Sequence, residues 1–385
     1  SAGESRIAEG GILTRRHVLE LVSTLGYGGI ERWLLEVTPH VRDAGWEVTI
    51  LAKGAEVGAL AGHFRDLGCR VLHVSYKRSM PRYLRTLRGL ASANTVVNSH
   101  LHDLSFLADL ALVGKRSEVP VVLSFHNTTF HSPMSTNLLP VPALRPNLLR
   151  LPLRNSMRKA SAITGCSTAV LEAIRTPSDK SATVYYGVTA HQDTRAHVTS
   201  LANWPKGIVS LFVGRLVPQK NVHQLIDSFR TVQEQVPEAR LVIVGDGPLR
   251  GKLETQVDNA GLTGKVMFFG NCYDVRPLMA AANLLVMRST HEGFGLVVAE
   301  AAAEGTVALL PSVPGLVEAG TLCGSMVVEA ENPDTFASAW VDLLRDPEYR
   351  GEAGARAQRL TISNLSLRRS AENYVRVLDE VYCSS

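Results

Sequence analysis

The chain has 385 residues, of which 45% are apolar and 20% are charged. This length exceeds what one hydrophobic core usually supports, so we expect two domains of about 190 residues each. The five cysteines form no C-x-x-C pair, which argues against a zinc knuckle or a disulfide framework. No apolar run reaches the roughly 18 residues that cross a bilayer, and residues 1–16 lack the apolar core of a signal peptide. The sequence therefore predicts a cytoplasmic protein.

The net charge of +4 is unevenly distributed. Residues 1–195 carry 23 Lys and Arg against 15 Asp and Glu, whereas the remainder carries 17 against 21. Much of the positive charge lies in residues 77–88 and 145–159. The second segment has three arginines interleaved with leucines at helical spacing: Arg150, Arg154 and Arg158. Such a helix could lie on an anionic lipid surface at the inner face of the membrane, although the solvated face of an ordinary helix explains the same pattern.

The first buried strand is predicted over His17–Ser23 and leads into Gly28 and Gly29, after which an amphipathic helix begins. Two glycines let the backbone approach a ligand closely, and the helix N-terminus beyond them could face a phosphate. A tight strand-to-helix turn is the simpler alternative.

Strand patterns then alternate with segments of helical length, which predicts a parallel, doubly wound sheet. The predicted strands are Glu47–Ala52, Arg70–Val74, Thr95–Ser99, Val119–Ser124, Ala162–Cys166 and Ala182–Tyr186. Ligands of such sheets lie at the carboxyl ends of the strands. His126 follows one of these ends, where an imidazole could bind a sugar hydroxyl or a developing charge; a purely structural role for this histidine is the alternative.

His100 and His102 also follow a strand, but the sequence offers no third metal ligand at a recognisable spacing, so no metal site is predicted.

The apolar pattern lapses over residues 187–207, the expected interdomain linker. A second series opens with a strand at residues 208–213, followed by Arg215, Lys220 and Asn221. Asn221 could cap the next helix. The two cations could neutralise a diphosphate at the strand end, or form an ordinary surface pair.

Two glycine-containing turns follow in this second half. Gly245 and Gly247 lack the third glycine of G-x-G-x-x-G, because Arg250 stands there, which argues against a nicotinamide or flavin cofactor. In Ser289–Glu300, two glutamates bracket a Gly-Phe-Gly turn between an apolar strand and a helix expected to start near Gly295. Free backbone N–H groups at a helix N-terminus suit a phosphate, and acids on either side can accept hydrogen bonds from hydroxyls. A sugar nucleotide has this layout.

Four motifs follow one another along the chain: Gly28-Gly29, Gly214-Arg215-x4-Lys220, Val244-Gly245-Asp246-Gly247-Pro248 and Glu292-Gly-Phe-Gly-Leu-Val-Val-Ala-Glu300. In the order and spacing of these motifs, the chain resembles the family-4 retaining glycosyltransferases. The resemblance implies the GT-B fold of class α/β, in which two Rossmann-like domains with parallel, doubly wound sheets face each other across a cleft. The expected domains are residues 1–195 for the acceptor, residues 196–364 for the nucleotide sugar, and a last helix at 365–385 that packs back on the first domain.

The resemblance also implies roles for matching residues. Arg215 and Lys220 would bind the diphosphate in place of a metal ion, Glu300 would hold the ribose, and Glu292 would contact the transferred sugar. The turn after Glu292 would offer backbone groups to sugar or phosphate: Gly293, Phe294, Gly295 and Leu296. His126 would face the reacting carbon, and Gly28 and Gly29 would border the diphosphate. The chain departs from the family pattern at Thr189, at Val307 and at residues 314–318, where a Gly-Gly pair is replaced by Pro-Gly.

We therefore predict a metal-independent, retaining glycosyltransferase that uses a UDP or GDP sugar and needs no cofactor. The basic first half favours an acceptor that is lipid-linked or a polysaccharide precursor, with a peripheral position at an anionic membrane. A small-molecule acceptor, a sugar-nucleotide epimerase and a non-catalytic nucleotide-sugar-binding protein are the alternatives. We expect no nucleic-acid partner.

Overall fold

The computed structural model describes residues 16–92, 94–101, 119–128, 146–190, 204–329 and 333–384. These residues form two parallel sheets flanked by helices, with seven strands in the first and six in the second. The predicted α/β class with two doubly wound sheets is confirmed.

The first sheet has the strand order β3-β2-β1-β4-β5-β6-β7. Its strands are β1 (Arg16–Val22), β2 (Trp46–Ala52), β3 (Arg70–His73), β4 (Thr95–Leu101), β5 (Val121–Phe125), β6 (Ala162–Gly165) and β7 (Ser181–Thr183). Its helices are α1 (Gly29–Asp43), α2 (Ala61–Asp66), α3 (Met80–Leu90), α4 (Pro146–Lys159) and α5 (Thr168–Ile174). The order reverses at β1 and β4, so the carboxyl ends of these two strands mark the point where a doubly wound sheet binds ligands.

The second sheet has the order β10-β9-β8-β11-β12-β13. Its strands are β8 (Ile208–Val213), β9 (Ala239–Val244), β10 (Val266–Gly270), β11 (Leu284–Val286), β12 (Ala308–Pro311) and β13 (Met326–Val328). The helices that follow β8 are α6 (Val222–Gln235), α7 (Arg250–Asn259), α8 (Arg276–Ala281), α9 (Leu296–Ala303), α10 (Pro314–Cys323), α11 (Pro333–Arg345), α12 (Pro347–Asn364) and α13 (Leu367–Cys383). The switch point lies at β8 and β11, the strands that precede Arg215 and Ser289.

Buried apolar residues predominate in both sheets, because helices cover both faces of a parallel sheet. The centre of the first sheet is an exception, since Glu20 of β1 and Asn98 and His100 of β4 are buried polar residues that are 1%, 0% and 1% exposed. The predicted boundary between the domains, at residue 195, falls outside the described residues.

The last helix, α13, packs on the first domain against α1 and β4. Gly187 makes this possible, because a Cβ there would lie 2.6 Å from the Cα atom of Leu367. The backbone N–H of Val188 donates to the carbonyl of Leu365 at 2.8 Å, and the indole of Trp33 in α1 donates to the hydroxyl of Ser370 at 2.9 Å. The C-terminal helix is therefore tied to the segment that leaves the first domain.

Helix α4 buries part of the apolar stripe that the sequence suggested for a lipid surface. Met157 is 2% exposed and belongs to the core, and Leu153 packs beside it, while Arg154 and Arg158 are exposed. The core of the first domain therefore occupies the side chain of Met157 and part of that of Leu153. The side chain of Arg150 lies outside the part of the chain that the structure describes. Among the described residues, the structure contains no helix with the length and apolar character that crossing a membrane requires.

Candidate functional site

Two hydrogen bonds join the loops that carry Lys220 and Glu292. The N–H of Thr290 donates to the carbonyl of Gln219 at 2.9 Å, and the side-chain amide of Gln219 donates to the carbonyl of His291 at 2.9 Å. The Lys220 ammonium consequently pairs with Glu292. The carboxylate of Glu292 is buried and also accepts a hydrogen bond from the hydroxyl of Ser289 at 2.9 Å.

The Gly-Phe-Gly turn ends where the sequence places it, because α9 begins at Leu296. Gly295 has φ +83° and precedes the helix in a left-handed conformation that glycine adopts without strain. The carbonyl of His126 lies so close to Gly293 that a Cβ at that position would collide with it. The turn is thereby held against the end of β5 in the first domain.

The Gly28-Gly29 loop of the first domain faces the start of α9. A Cβ at Gly29 would lie 3.5 Å from the side chain of Leu296. The structure therefore brings the two predicted walls of the site together, with the N-termini of α1 and α9 next to each other. Two neighbouring helix N-termini produce a positive potential that suits a diphosphate.

Glu300, predicted to hold a ribose, pairs with Arg32 of α1. Their side chains are 14% and 19% exposed, and the guanidinium lies 3.1 Å from the carboxylate. Burial raises the pKa of Glu300, while the charges of Arg32 and Arg276 act in the opposite direction. A ligand that hydrogen-bonds to Glu300 therefore competes with a cation from the other domain.

A second buried carboxyl, Glu31, lies behind the Gly28-Gly29 loop. Its carboxylate is so close to Gly28 that a Cβ there would collide with it. Burial raises the pKa of Glu31, and a hydrogen bond from its own backbone N–H and the charge of Arg215 partly oppose this effect. The Arg215 side chain is exposed at the carboxyl end of β8 and can contact a bound anion.

His126 lies at the carboxyl end of β5 with both ring nitrogens close to protein groups. Its Nε2 atom lies 2.8 Å from Nδ1 of His100, and its Nδ1 atom lies 2.6 Å from the hydroxyl of Tyr186. The His126 ring thus faces the interior of the first domain, whereas its carbonyl faces Gly293.

Two family models match consecutive parts of the chain. The model of glycosyl transferases group 1 matches residues 196–360, and that of the glycosyl transferase 4-like domain matches residues 28–184. The chain belongs to the family-4 glycosyltransferases. This confirms the resemblance carried by the Gly-Gly, Arg-Lys and Glu-bracketed motifs.

Curated relatives of the chain carry the names of different glycosyltransferases. The chain is 32% identical over 192 residues to an uncharacterized glycosyltransferase of Methanocaldococcus jannaschii, and the match covers 47% of this chain and about half, 49%, of that protein. It is 25% identical to the phosphatidyl-myo-inositol mannosyltransferase of Mycolicibacterium smegmatis, over 86% of this chain and 84% of that one. It is also 25% identical to the alpha-D-kanosaminyltransferase of Streptomyces kanamyceticus, over 68% and 71%.

Solved structures of glycosyltransferases share the fold. Anabaena Alr3699/HepE, solved in complex with UDP, superposes with a TM-score of 0.74 at 19% identity over 94% of this chain and 100% of that chain. A Rickettsia africae glycosyltransferase superposes with a TM-score of 0.76 at 16% identity, over 97% and 100%. These likenesses confirm the predicted GT-B architecture.

In this family-4 chain, the structure contradicts the predicted cap at Asn221 and describes only one histidine of the His-x-His pattern. Asn221 does not cap α6 with its side chain, because its backbone is left-handed (φ +53°) and its amide donates to Gln224 instead. His102, the second histidine of the His-x-His pattern, lies outside the described residues, and His100 contacts Glu20 and His126.

The sequence reasoning missed several residues that border the site. They are Glu20, Glu31, Arg32, Tyr186, Glu318 and Tyr374. Only two offered a signal, since Glu20 is a charged residue within an apolar strand run and Glu31 directly follows the Gly-Gly loop. Arg32 and Tyr186 belong to no motif, and Glu318 and Tyr374 lie far along the chain in α10 and α13, so a linear pattern does not connect these residues with the site.

Proposed function

We propose that this chain transfers a sugar from a nucleoside diphosphate sugar to an acceptor, with retention of the anomeric configuration and without a metal ion. The observation that carries the proposal is the pairing of Lys220 with the buried Glu292 beside the N-terminus of α9. A diphosphate placed there would meet the Lys220 ammonium, the Arg215 guanidinium and the first backbone N–H groups of α9.

The charges of this site match the needs of a departing nucleoside diphosphate. As the bond to the anomeric carbon breaks, negative charge grows on the diphosphate and positive charge on the sugar. Lys220 and Arg215 would stabilise the first charge, and the Glu292 carboxylate, released from Lys220 by the incoming phosphate, would contact the sugar. Retention fits a same-face substitution, for which we assign no side chain as nucleophile.

A thermal-shift panel of UDP and GDP sugars tests donor binding. Ligand that binds the native state raises the melting temperature with the logarithm of its concentration. We expect one donor class to stabilise the wild type, Lys220→Ala to reduce that shift, and Lys252→Ala, on the surface of α7, to retain it. Equal shifts in all three proteins, or no shift with any donor, would contradict the assignment.

For the acceptor, we propose a lipid-linked or polysaccharide-precursor molecule at an anionic membrane. Support comes from exposed cations on α3, on the loop before it and on α4. They are Lys77, Arg78, Arg82, Arg85, Arg88, Arg154 and Arg158. The name of the mycobacterial relative, which includes a phosphatidyl group, agrees with this proposal, whereas the name of the Streptomyces relative states only the sugar that is transferred.

Liposome co-sedimentation distinguishes the two acceptors. Binding to phosphatidylglycerol-containing vesicles should fall with rising salt and weaken when Arg82, Arg85 and Arg88 are changed to Gln. Unchanged binding in this variant, or no binding by the wild type, would favour a small-molecule acceptor.

A further inference from the structure

A fully buried carboxylate lies at the centre of a side-chain network beneath the cleft. One oxygen of Glu20 lies 2.9 Å from Nε2 of His100, and the two side chains are 1% and 0% exposed. His100 continues to His126 and His126 to Tyr186, at the distances given above. The network thus runs from the central strand β1 through β4 to the carboxyl end of β5.

A second branch reaches Glu20 from the C-terminal helix. The hydroxyl of Tyr374 in α13 donates to the other oxygen of Glu20, and it accepts from the side-chain amide of Asn98 at 2.7 Å. The Asn98 oxygen in turn accepts from Ser124 at 2.7 Å. Burial raises the pKa of Tyr374 well above its usual value, which keeps this hydroxyl protonated and able to donate.

The short hydrogen bonds from Glu20 to Tyr186 all run in one direction when both imidazoles are neutral, and the 3.4 Å contact between the Asn98 amide nitrogen and Nε2 of His100 then joins two donors. A carboxylate only accepts, so His100 carries its proton on Nε2 and its Nδ1 accepts. His126 must then carry its proton on Nε2, and its Nδ1 accepts from Tyr186. Burial raises the pKa of Tyr186 well above its usual value, consistent with a hydroxyl that donates.

This hydrogen-bond network contacts the Gly293-Phe294 turn at two places. The carbonyl of His126 lies against Gly293, as described above. The ring of Tyr186 packs edge-on against Phe294, with centroids 6.2 Å apart and an interplanar angle of 75°. Trp33 fills the space between Tyr186 and Tyr374, with both centroids at 5.4 Å. The Gly293-Phe294 turn therefore rests on His126 and Tyr186.

We propose that Glu20, His100, Tyr186 and Tyr374 are positioning residues that fix the ring and tautomer of His126 and, through it, the Gly293-Phe294 turn that receives the donor. This inference rests on the proposed transfer function. It makes the C-terminal helix α13 part of the site, because Tyr374 holds the carboxylate on which the network depends.

Tyr374→Phe tests the proposal by removing one hydroxyl, with Tyr382→Phe on the same helix as its control. The Tyr382 ring contacts Trp46 and lies outside the network. Misplacement of a turn by a fraction of an ångström lowers the rate of chemistry more than donor affinity, so we expect kcat to fall roughly 10- to 100-fold in Tyr374→Phe. The donor KM should change less than about threefold, and the control should match the wild type. Equal kcat values in the two variants would overturn the proposal.

Nitrogen-15 NMR of the histidine rings provides a readout that does not need turnover. In the wild type, His100 and His126 should both be protonated at Nε2. In Glu20→Gln, Tyr374 still needs the side-chain oxygen as its acceptor, so the NH2 group faces His100 and donates to it, which reverses the network and moves both protons to Nδ1. Detection of His126 protonated at Nδ1 in the wild type, or no tautomer change in Glu20→Gln, would overturn the assigned direction.

The amide signals of Gly293 and Phe294 separate this proposal from the proposed function. They should shift in Tyr374→Phe and stay unchanged in Tyr382→Phe, whether or not a donor is consumed. If the wild type consumes no nucleoside diphosphate sugar but these signals shift, the transfer function fails and the positioning network stands. If the signals do not respond, the positioning claim fails.

Discussion

At the scale of single residues, the site depends on glycines that other protein groups approach closely. Gly293 has to accommodate the carbonyl of His126, and Gly28 has to accommodate the carboxylate of Glu31. The sequence predicts these glycines as points of close approach to a ligand. The structure shows that packing within the protein also requires these glycines, because the His126 carbonyl and the Glu31 carboxylate occupy the space that a Cβ would need.

Gly293→Ala should destabilise the protein and impair donor binding. The added Cβ collides with a backbone carbonyl that cannot rotate away, so we expect a loss of about 1–3 kcal/mol in the free energy of unfolding. Gly251→Ala in α7 is the matched control, because a Cβ there meets no atom within 4 Å. Urea denaturation measures both variants, and similar stability in the two would show that the turn moves freely.

Glu31→Gln should raise stability at neutral pH. Because burial raises the folded-state pKa of Glu31 above its ordinary value of 4.5, ionisation of this carboxyl disfavours the folded state. The difference in melting temperature between variant and wild type should be positive at pH 7, and should shrink as the pH falls toward about 4.5, where the unfolded chain also binds the proton. Glu56→Gln, at an exposed site, should lack this trend. A difference that is constant with pH would contradict the burial effect.

At the scale of secondary structure elements, the alternation of strands and helices and the start of α9 could be predicted, because apolar runs and glycines are local signals. The cap at Asn221 was predicted wrongly, since the left-handed backbone of that residue follows from the preceding turn. The network at Glu20 could not be predicted. It requires β4 to lie between β1 and β5, and alternation along the chain does not fix the order of strands within a sheet.

Hydrogen bonds between α10 of the second domain and the start of α5 link the two domains. Glu318 of α10 accepts hydrogen bonds from the backbone N–H groups of Thr168 and Ala169, each at 2.8 Å, and from the hydroxyl of Tyr185 at 2.6 Å. The carboxylate of the second domain thus caps a helix of the first.

Glu318→Ala should remove this cap. Loss of a charged cap costs on the order of 1–2 kcal/mol, and we expect the two domains to become more mobile relative to each other. Small-angle scattering should show a larger radius of gyration than in the wild type, while Glu352→Ala, at an exposed position of α12, should leave it unchanged. Identical scattering from all three proteins would show that the junction does not hold the domains.

At the scale of the whole molecule, two Rossmann-like domains and a returning helix create a cleft whose charged groups pair across or within the domains. Lys220 pairs with Glu292, and Arg32 pairs with Glu300. Family membership and the GT-B fold were predictable from the motifs. The pairing of Arg32 with Glu300 was not, because it depends on how the two domains face each other.

The central claim is that this chain transfers a sugar from a nucleoside diphosphate sugar with retention, and proton NMR of the anomeric signal tests it most directly. With the donor that gives the largest thermal shift, and water as the acceptor, the wild type should release nucleoside diphosphate and free sugar that first appears with the donor's anomeric configuration. Glu292→Gln should reduce the rate at least about tenfold. Release of the inverted anomer, or equal rates in the wild type and Glu292→Gln, would contradict the account.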